Sequence, residues 1–469
     1  MVEMITNINN TINGIVWGLP MMALILGVGV YLSISCGFPQ FTHFIHIMKN
    51  TLGKAFEKTE KKEGAVSPFK AMCTALAASI GTGNIAGVSG AIAIGGPGAV
   101  FWMWMSALLG MCTKYAEVTL SIKYRERNEA GDWVGGPMYY IKNGLGKNWK
   151  WLGVIFAIFG ALAAFGIGNM TQVNTIAGTI NTAISQFIET SASEQLIIAW
   201  VISIICAVIC GIVLLGGIQR LSDVCALLVP VMAVIYIIAS IIVIAVNITA
   251  VPAAFGAIIK GAFAPASVAG GLAGVGIKTA FIKGVGRGIF SNEAGLGSAS
   301  IAHAAADVDH PVKQGMFGVF EVFMDTIVVC TMTALVALLG NGLDSIQWGK
   351  DIGAQLTING FISVFPGKIA ATCVAICLSL FAISTVLTWA LYGTRCVEFL
   401  FGYKASKVYQ VIFCLFACIA GAVSLDLAWA IADTLNGLMA IPNLIAVALL
   451  SPVVIKLTKE YFQSVKAGK

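Results

Sequence analysis

Residues 75–88, A-L-A-A-S-I-G-T-G-N-I-A-G-V, lie inside an apolar segment that runs from residue 68 to residue 96. The middle of this stretch interleaves small and polar residues: Ser79, Gly81, Thr82, Gly83, Asn84 and Gly87. Each glycine lowers helix stability by about 1 kcal/mol relative to alanine. The stretch therefore predicts a membrane helix broken at mid-membrane, where free amides suit a carboxylate and free carbonyls suit a sodium ion. The alternative is an unbroken helix with a packing face of small residues.

The composition indicates a polytopic membrane protein. Of the 469 residues, 58% are hydrophobic and only 11% are charged, whereas soluble proteins carry about 25% charged residues. The net charge of +6 does not indicate a nucleic-acid partner, because the basic residues lie in short loops between apolar spans. Residues 1–10 contain no lysine or arginine, so we expect the first apolar span to be retained rather than cleaved as a signal peptide.

The hydropathy pattern predicts an all-α protein with about eleven membrane spans. We place them at residues 13–37, 68–96, 99–122, 151–187, 196–215, 224–246, 250–290, 316–339, 369–400, 408–424 and 427–455. The basic loops then fall on one side throughout, which predicts an outer N-terminus and a cytoplasmic C-terminus. A second glycine-rich stretch, residues 269–276, interrupts the span at 250–290.

Setting the first span aside leaves ten, with glycine-broken spans at positions one and six. Interrupted helices at matching positions of two halves indicate a transporter built from inverted repeats. We therefore expect an N-terminal helix and cytoplasmic linker (1–67), two five-helix repeats (68–248 and 249–455) and a cytoplasmic tail (456–469).

Three stretches resemble the alanine/glycine:cation symporter family. They are residues 95–110, G-G-P-G-A-V-F-W-M-W-M-S-A-L-L-G, residues 135–140, G-G-P-M-Y-Y, and residues 288–297, G-I-F-S-N-E-A-G-L-G. The resemblance covers essentially the whole chain. It implies a LeuT-type fold and a multi-pass protein of the cell membrane that imports alanine or glycine with Na⁺ by alternating access, without an organic cofactor. Some relatives use protons instead.

The resemblance also implies site residues. Gly81-Thr82-Gly83-Asn84 resembles the Gly-x-Gly-Asn motif of the broken first core helix of LeuT-type transporters. On that match, the amides of Thr82 and Gly83 meet the substrate carboxylate, and Asn84 Oδ1 with the Ser79 carbonyl holds one sodium ion. Further pocket residues are expected at Gln172, Gly274, Gly276 and Ile277. Phe165 and Trp389 are candidate pocket walls, with packing between helices as the alternative for these two aromatic side chains.

A second sodium ion is implied between the first and eighth core helices. Its ligands on this match are the carbonyls of Ala77 and Ile80 and the hydroxyls of Ser384 and Thr385. Oxygen ligands of this kind suit a hard cation. The alternative for the two hydroxyls is a hydrogen bond back to their own helix.

Charged residues inside the spans are the other candidates for function. Glu321 and Asp325 lie one helical turn apart, and an intramembrane carboxylate is costly enough to imply a function or a partner. We expect a hydrogen-bonded structural pair, with a cation-binding role for Asp325 as the alternative. Asp433 is expected to make a buried polar contact.

The sequence favours a secondary symporter over two other classes of membrane protein. A membrane enzyme needs a nucleophile or metal motif, and no Gly-x-Ser-x-Gly, His-Glu-x-x-His or Walker sequence occurs. An ion channel would normally show a pore-loop unit, and none is visible. The expected activity is sodium-coupled import of small neutral amino acids; proton-coupled symport is the first alternative and an ion channel the second.

The one-sided distribution of lysine and arginine predicts which segments a membrane-impermeant thiol reagent reaches. In intact cells we expect Ile5→Cys to be labelled from outside, and Glu60→Cys and Lys469→Cys to be labelled only after the membrane is opened. Labelling of positions 5 and 60 from the same side would contradict the eleven-span arrangement.

Overall fold

A computed structural model describes residues 2–54, 64–263, 276–343, 346, 348–349, 353–422 and 426–467. The first half contains helices α1 (Val2–Val16), α2 (Leu19–Ser35), α3 (Pro39–Thr42), α4 (Phe44–Thr51), α5 (Pro68–Ser79), α6 (Ala86–Gly95), α7 (Gly98–Tyr124), α8 (Pro137–Tyr140), α9 (Lys150–Phe165), α10 (Thr171–Ser185), α11 (Ala192–Leu215) and α12 (Gly217–Val246). A two-stranded antiparallel sheet, β1 (Glu126–Arg127) and β2 (Trp133–Val134), follows α7.

The second half contains α13 (Val251–Phe263), α14 (Ile277–Asn292), α15 (Ala299–His303), α16 (Pro311–Val322), α17 (Thr331–Asn341), α18 (Gln355–Ile362), α19 (Gly367–Phe401), α20 (Tyr403–Ala420), α21 (Asp426–Leu449) and α22 (Ser451–Lys466). Short 3₁₀ segments occur at Leu52–Lys54, Thr82–Asn84, Lys147–Trp149 and Ile248–Ala250, and π-helical segments at Ile141–Leu145, Gly166–Met170 and Phe323–Cys330. The protein is therefore almost entirely helical, as the sequence predicts.

Membrane crossings can be assigned from helix length and apolar character. In the described ranges, eight segments are long and apolar enough to cross a membrane, and the bent pair α5–α6 makes nine. The 27-residue α7 is about 40 Å long at 1.5 Å per residue, so it too can cross, although it carries Lys114 and Glu117 in its middle. The total of eleven spans stays a prediction.

The predicted break in the first core helix is present. Helix α5 begins at Pro68, capped by the Ser67 hydroxyl, and ends at Ser79. Gly81 is extended, with φ −134° and ψ −155°, and α6 continues after one 3₁₀ turn. The two halves are bent by 57°.

A second break lies at residues 293–298. Of the predicted stretch, residues 269–275 lie outside the described residues, and Gly276 precedes the regular helix α14. That helix continues to Asn292, two residues beyond the predicted end of the span at 250–290. The chain then takes positive φ at Glu293, Gly295 and Gly297, with angles of 55°, 94° and 80°. Because glycine adopts these angles at little cost, alternate glycines end the helix here.

Several other boundaries differ from the sequence predictions. The expected loop at 38–67 contains α3 and α4, and the expected linker at 216–220 is helical from Gly217. The first span is interrupted between α1 and α2 at Trp17–Gly18, where Pro20 lies in the first turn of the new helix. Much of the expected tail at 456–469 is helical, since α22 continues to Lys466.

A buried ion pair joins the helices around the first break. Lys114 Nζ lies 3.0 Å from Glu321 Oε1, and both side chains are fully buried. Glu321 Oε1 also accepts a 2.8 Å hydrogen bond from the Ser79 hydroxyl, and its Oε2 lies 2.9 Å from His303 Nε2. Gln314 Nε2 donates to His303 Nδ1 and to the carbonyl of Pro68. The expected pairing of Glu321 with Asp325 is therefore wrong, because each carboxylate bonds other partners.

Removal of the lysine tests this ion pair. Lys114→Met is expected to lower the free energy of unfolding by about 3–5 kcal/mol, because the Glu321 carboxylate then stays buried without its cation. Lys114→Met combined with Glu321→Gln should recover much of that loss, since neither charge remains. Thermal unfolding of the purified protein in detergent measures both effects.

Lys123→Met is the matched control for that measurement, because Lys123 is exposed at the end of the same helix. It should leave the melting temperature unchanged. If the single and the double variant lost the same free energy of unfolding, the unpaired Glu321 charge would not be the cause of the loss.

Candidate substrate and sodium site

The break between α5 and α6 leaves backbone groups open. The last regular hydrogen bond of α5 runs from the Ile80 amide to the Leu76 carbonyl at 2.8 Å. Within the described ranges, the amides of Thr82 and Gly83 donate to no other group of the protein. Open amides suit an anionic group, and the carbonyls at the end of a half-helix suit a cation. The first break therefore offers both kinds of partner at one place.

Asn84 holds the open turn in shape. Its Oδ1 accepts a 2.8 Å hydrogen bond from the Gly81 amide, and its Nδ2 donates to Asp325 Oδ1 at 2.6 Å. The side chain is fully buried. An amide oxygen has two lone pairs, so Asn84 Oδ1 can accept from Gly81 and still face an ion.

Three oxygen atoms from two helices meet at the end of α5. The hydroxyls of Ser384 and Thr385 lie 3.2 Å and 3.1 Å from the carbonyl oxygen of Ala77. Both also lie within 2.9 Å of the Phe381 carbonyl on their own helix. A hydroxyl has one proton to donate, so each can bond either carbonyl. The geometry accommodates both the expected ligand cluster and the alternative of bonding back to α19; Ile80 forms the turn that follows.

Asp325 lies at the meeting point of three elements. It sits in the π-helical segment Phe323–Cys330 and is fully buried. Besides Asn84, it accepts hydrogen bonds from the hydroxyls of Ser291 at 3.1 Å and Thr326 at 2.7 Å. The segment thus links the first break to the end of α14. π-Helical turns frequently occur at functional sites.

Gln172 and Trp389 both contact the π-helical segment Gly166–Met170, whereas the Phe165 ring packs against α20. Gln172 Nε2 donates to the Ile167 carbonyl at 3.0 Å, and its buried Oε1 has no partner in the part of the chain that the structure describes. Trp389 packs closely against Gly168, which belongs to the π-helical segment Gly166–Met170. A Cβ on Gly168 would lie 2.1 Å from the Trp389 side chain. The ring of Phe165 packs against Tyr409, Phe413 and Phe416 of α20.

The structure does not bring Gly276 and Ile277 to the break. They lie at the start of α14, 13 or 14 residues before Phe290 and therefore about 20 Å away along the helix. Gly274 lies outside the described residues. The end of α14 reaches the break instead, because a Cβ on Gly83 would lie 3.4 Å from the Phe290 ring and 3.8 Å from Ser291 Cα.

The sequence analysis did not place Phe290 and Ser291 beside the first break. Residues 288–297 contain a sequence signal for this position, because two alternate glycines follow Asn292 and Glu293. Asn292 Oδ1 accepts the Ala294 amide at 3.0 Å, and Glu117 Oε1 accepts the Gly295 amide at 3.0 Å. The second break is thus capped by polar side chains in the same manner as the first.

The chain is similar in sequence to known transporters. The model of the sodium:alanine symporter family matches residues 2–469. The sodium/alanine symporter AgcS of Methanococcus maripaludis is 47% identical over 96% of each chain. An uncharacterized transporter of Haemophilus influenzae is 43% identical over 98% of this chain and 97% of its own.

Solved structures support the fold. MhsT, solved in complex with L-phenylalanine, superposes with a TM-score of 0.57 and 14% identity, covering 85% of this chain and 99% of its own. The arrangement is the LeuT-type fold of secondary transporters. The protein is a multi-pass transporter rather than an enzyme, and its chain belongs to the sodium:alanine symporter family.

Proposed function

We propose that the protein couples inward movement of Na⁺ to import of small neutral amino acids, alanine and glycine, by alternating access. The observation that carries the proposal is the oxygen cluster of Ala77, Ser384 and Thr385, which joins the broken helix α5 to α19. Membership of the sodium:alanine symporter family supports the choice of ion and substrate. The lipid bilayer of the cell membrane is the surrounding medium.

The substrate is proposed to bind at the first break. The free amides of Thr82 and Gly83 receive its carboxylate, and the free oxygen of Gln172 is available to its ammonium group. Trp389 closes one wall. Phe290 and Ser291, at the end of α14, replace Gly276 and Ile277 as the neighbours of Gly83 in this proposal.

Two sodium sites are proposed. One uses Asn84 Oδ1 and the Ser79 carbonyl, with the Asp325 carboxylate supplying negative charge next to Asn84. The other uses the carbonyls of Ala77 and Ile80 with the hydroxyls of Ser384 and Thr385. Both sets contain only oxygen, which hard cations prefer.

The proposed orientation follows the basic loops, with the N-terminus outside and the C-terminus in the cytoplasm. Residues 1–67 then precede two five-helix repeats at 68–248 and 249–455, and residues 456–469 follow them. In this proposal the break after Ser79 belongs to the start of the first repeat and the break after Asn292 to the start of the second, a pattern typical of inverted-repeat transporters.

Proton coupling is the second candidate, and one contact favours it. Ser79, at the end of α5, donates to Glu321, which is bonded to Lys114 and His303. The titratable side chain of Glu321 is therefore hydrogen-bonded directly to Ser79, the last residue of α5 before the break. Uptake driven by a pH gradient without Na⁺ would favour this candidate over the first.

Alanine counterflow in liposomes tests the transport activity and the size of its substrate. Unlabelled alanine or glycine inside the liposomes should drive accumulation of labelled alanine when Na⁺ is present on both sides. Leucine should fail to compete, because overpacking a closed pocket costs about 1–3 kcal/mol even in adaptable cores. Equal competition by leucine would contradict a small pocket, and absence of any counterflow would contradict the activity.

The hydroxyl cluster predicts a specific change in sodium dependence. Ser384→Ala with Thr385→Val removes two proposed ligands and leaves side-chain volume similar. We expect the Na⁺ concentration for half-maximal alanine binding to rise about tenfold or more, because a lost contact to a charged group costs about 1.5–3 kcal/mol. Alanine should also strengthen Na⁺ binding less, since coupling is reciprocal.

Ser379→Ala is the matched control for the hydroxyl variants. Ser379 lies on α19, near an apolar surface groove formed with α10, and its hydroxyl has no partner in the described part of the chain. Its removal should leave the Na⁺ dependence unchanged. Wild-type Na⁺ dependence in the Ser384/Thr385 double variant would mean that both hydroxyls serve only their own helix.

A further inference from the structure

A cavity of about 370 Å³ opens beside the first break, between the α1–α2 junction, α14 and α21. Its polar lining comes from Asn13, Lys283, Arg287 and Asp433, and its aromatic lining from Trp17 and Phe290. Sites for small molecules are typically about 300–1,000 Å³. None of the ligand groups of the proposed central site lines this cavity, so it is a separate space.

The cavity presents both signs of charge. Lys283 and Arg287 lie one turn apart on α14, and neither has a carboxylate within ion-pair distance among the residues that the structure describes. Asp433, from α21, is held in place by the N-terminal helix region. Asn13 Nδ2 donates to its Oδ2 at 2.9 Å, and Trp17 Nε1 donates to its backbone carbonyl at 3.2 Å. Two cations and one fixed carboxylate therefore face a common space.

One aromatic ring separates the cavity from the first break. The Phe290 ring would lie 3.4 Å from a Cβ on Gly83, and its other neighbours include Trp17 and Arg287. The Trp17 ring centroid is 6.5 Å away, and the Arg287 guanidinium carbon is 5.4 Å from the ring centroid. The cavity and the turn that carries the free amides of Thr82 and Gly83 thus share Phe290 as a border.

We propose that this cavity is a preliminary binding site for the zwitterionic amino acid, an inference that rests on the proposed transport function. The substrate carboxylate binds Lys283 and Arg287, and its ammonium group binds Asp433, before Phe290 moves aside. The N-terminal helices α1 and α2, which lie outside the ten-helix core, supply a wall of the site and fix Asp433. Recognition requires both charges of the ligand, so a molecule with one of them binds weakly.

Protection of an introduced thiol tests this site in the full-length protein. Gly286 lines the cavity, and a Cβ there would approach only the flexible end of Met22, at 3.2 Å. Modification of Gly286→Cys by a small neutral methanethiosulfonate is followed by the mass of the peptide that contains position 286. Alanine should slow this modification, whereas propionate and ethylamine at equal concentration should not.

Two further variants separate this site from the central one. Asn84→Ala weakens the central site, so alanine should still protect Gly286→Cys in that background. Arg287→Gln should raise the alanine concentration for half-protection about tenfold, because a charge-assisted hydrogen bond is lost. Lys278→Gln, an exposed lysine of the same helix outside the cavity, is the control and should leave protection unchanged.

The outcomes distinguish the two proposals. Loss of protection in the Asn84→Ala background, or unchanged protection after Arg287→Gln, would overturn the preliminary site. A wild-type protein without alanine counterflow would instead refute the transport function. If Gly286→Cys does not fold, Gly14→Cys replaces it, because Gly14 also lines the cavity and a Cβ there meets nothing within 4 Å.

Discussion

An unwound backbone inside a membrane must have its polar groups satisfied, because lipid offers no hydrogen-bond partners. Both breaks meet part of this requirement with buried side chains, whereas the amides of Thr82 and Gly83 at the first break stay open to a ligand. Asn84 accepts from Gly81 at the first break. At the second, Glu117 accepts from the Gly295 amide and Asn443 donates to the Gly295 carbonyl at 2.8 Å. Glu117 and Asn443 come from distant parts of the chain, and Asn84 is itself bonded to the distant Asp325. Both breaks therefore depend on the assembled bundle.

The same requirement gathers negative charge around the two breaks. Four buried carboxyl groups lie there: Glu117, Glu293, Glu321 and Asp325. Lys114 is the single ammonium group bonded to any of them in the described part of the chain. A buried charge without a partner is very unfavourable. The region therefore favours an additional cation or proton, which gives a physical reason for an ion to accompany a zwitterionic substrate whose own charge is zero.

The sequence predicts the first break and does not predict the break at residues 293–298, for a physical reason. At residues 81–87 the glycines lie among polar residues inside an apolar span, so composition alone marks the place. At residues 293–298 the break depends on positive φ angles at alternate positions, and hydropathy is insensitive to backbone angles. The contacts of Phe290 with Gly83 and of Asp325 with Asn84 join residues more than 200 positions apart. Such pairs follow from the packing of helices, and no local pattern encodes them; Ser384 and Thr385 could be placed near Ala77 only through the family resemblance.

In the proposed second sodium site, the position of Ala77 would let a bound ion hold α5 against α19. Without an ion, the hydroxyls of Ser384 and Thr385 can bond either Ala77 or Phe381 at similar distances. A neutral hydrogen bond contributes only about 0.5–1.5 kcal/mol, and the choice of partner weakens the link further. A cation between the helices would orient every lone pair of the cluster toward itself, so α5 and α19 would be held together by all the ligands at once. An ion biases a conformational equilibrium by its difference in affinity for the two arrangements. Because the two hydrogen-bond partners are nearly equivalent, the hydroxyls alone would not set the difference in free energy between the two arrangements. A bound ion would set it.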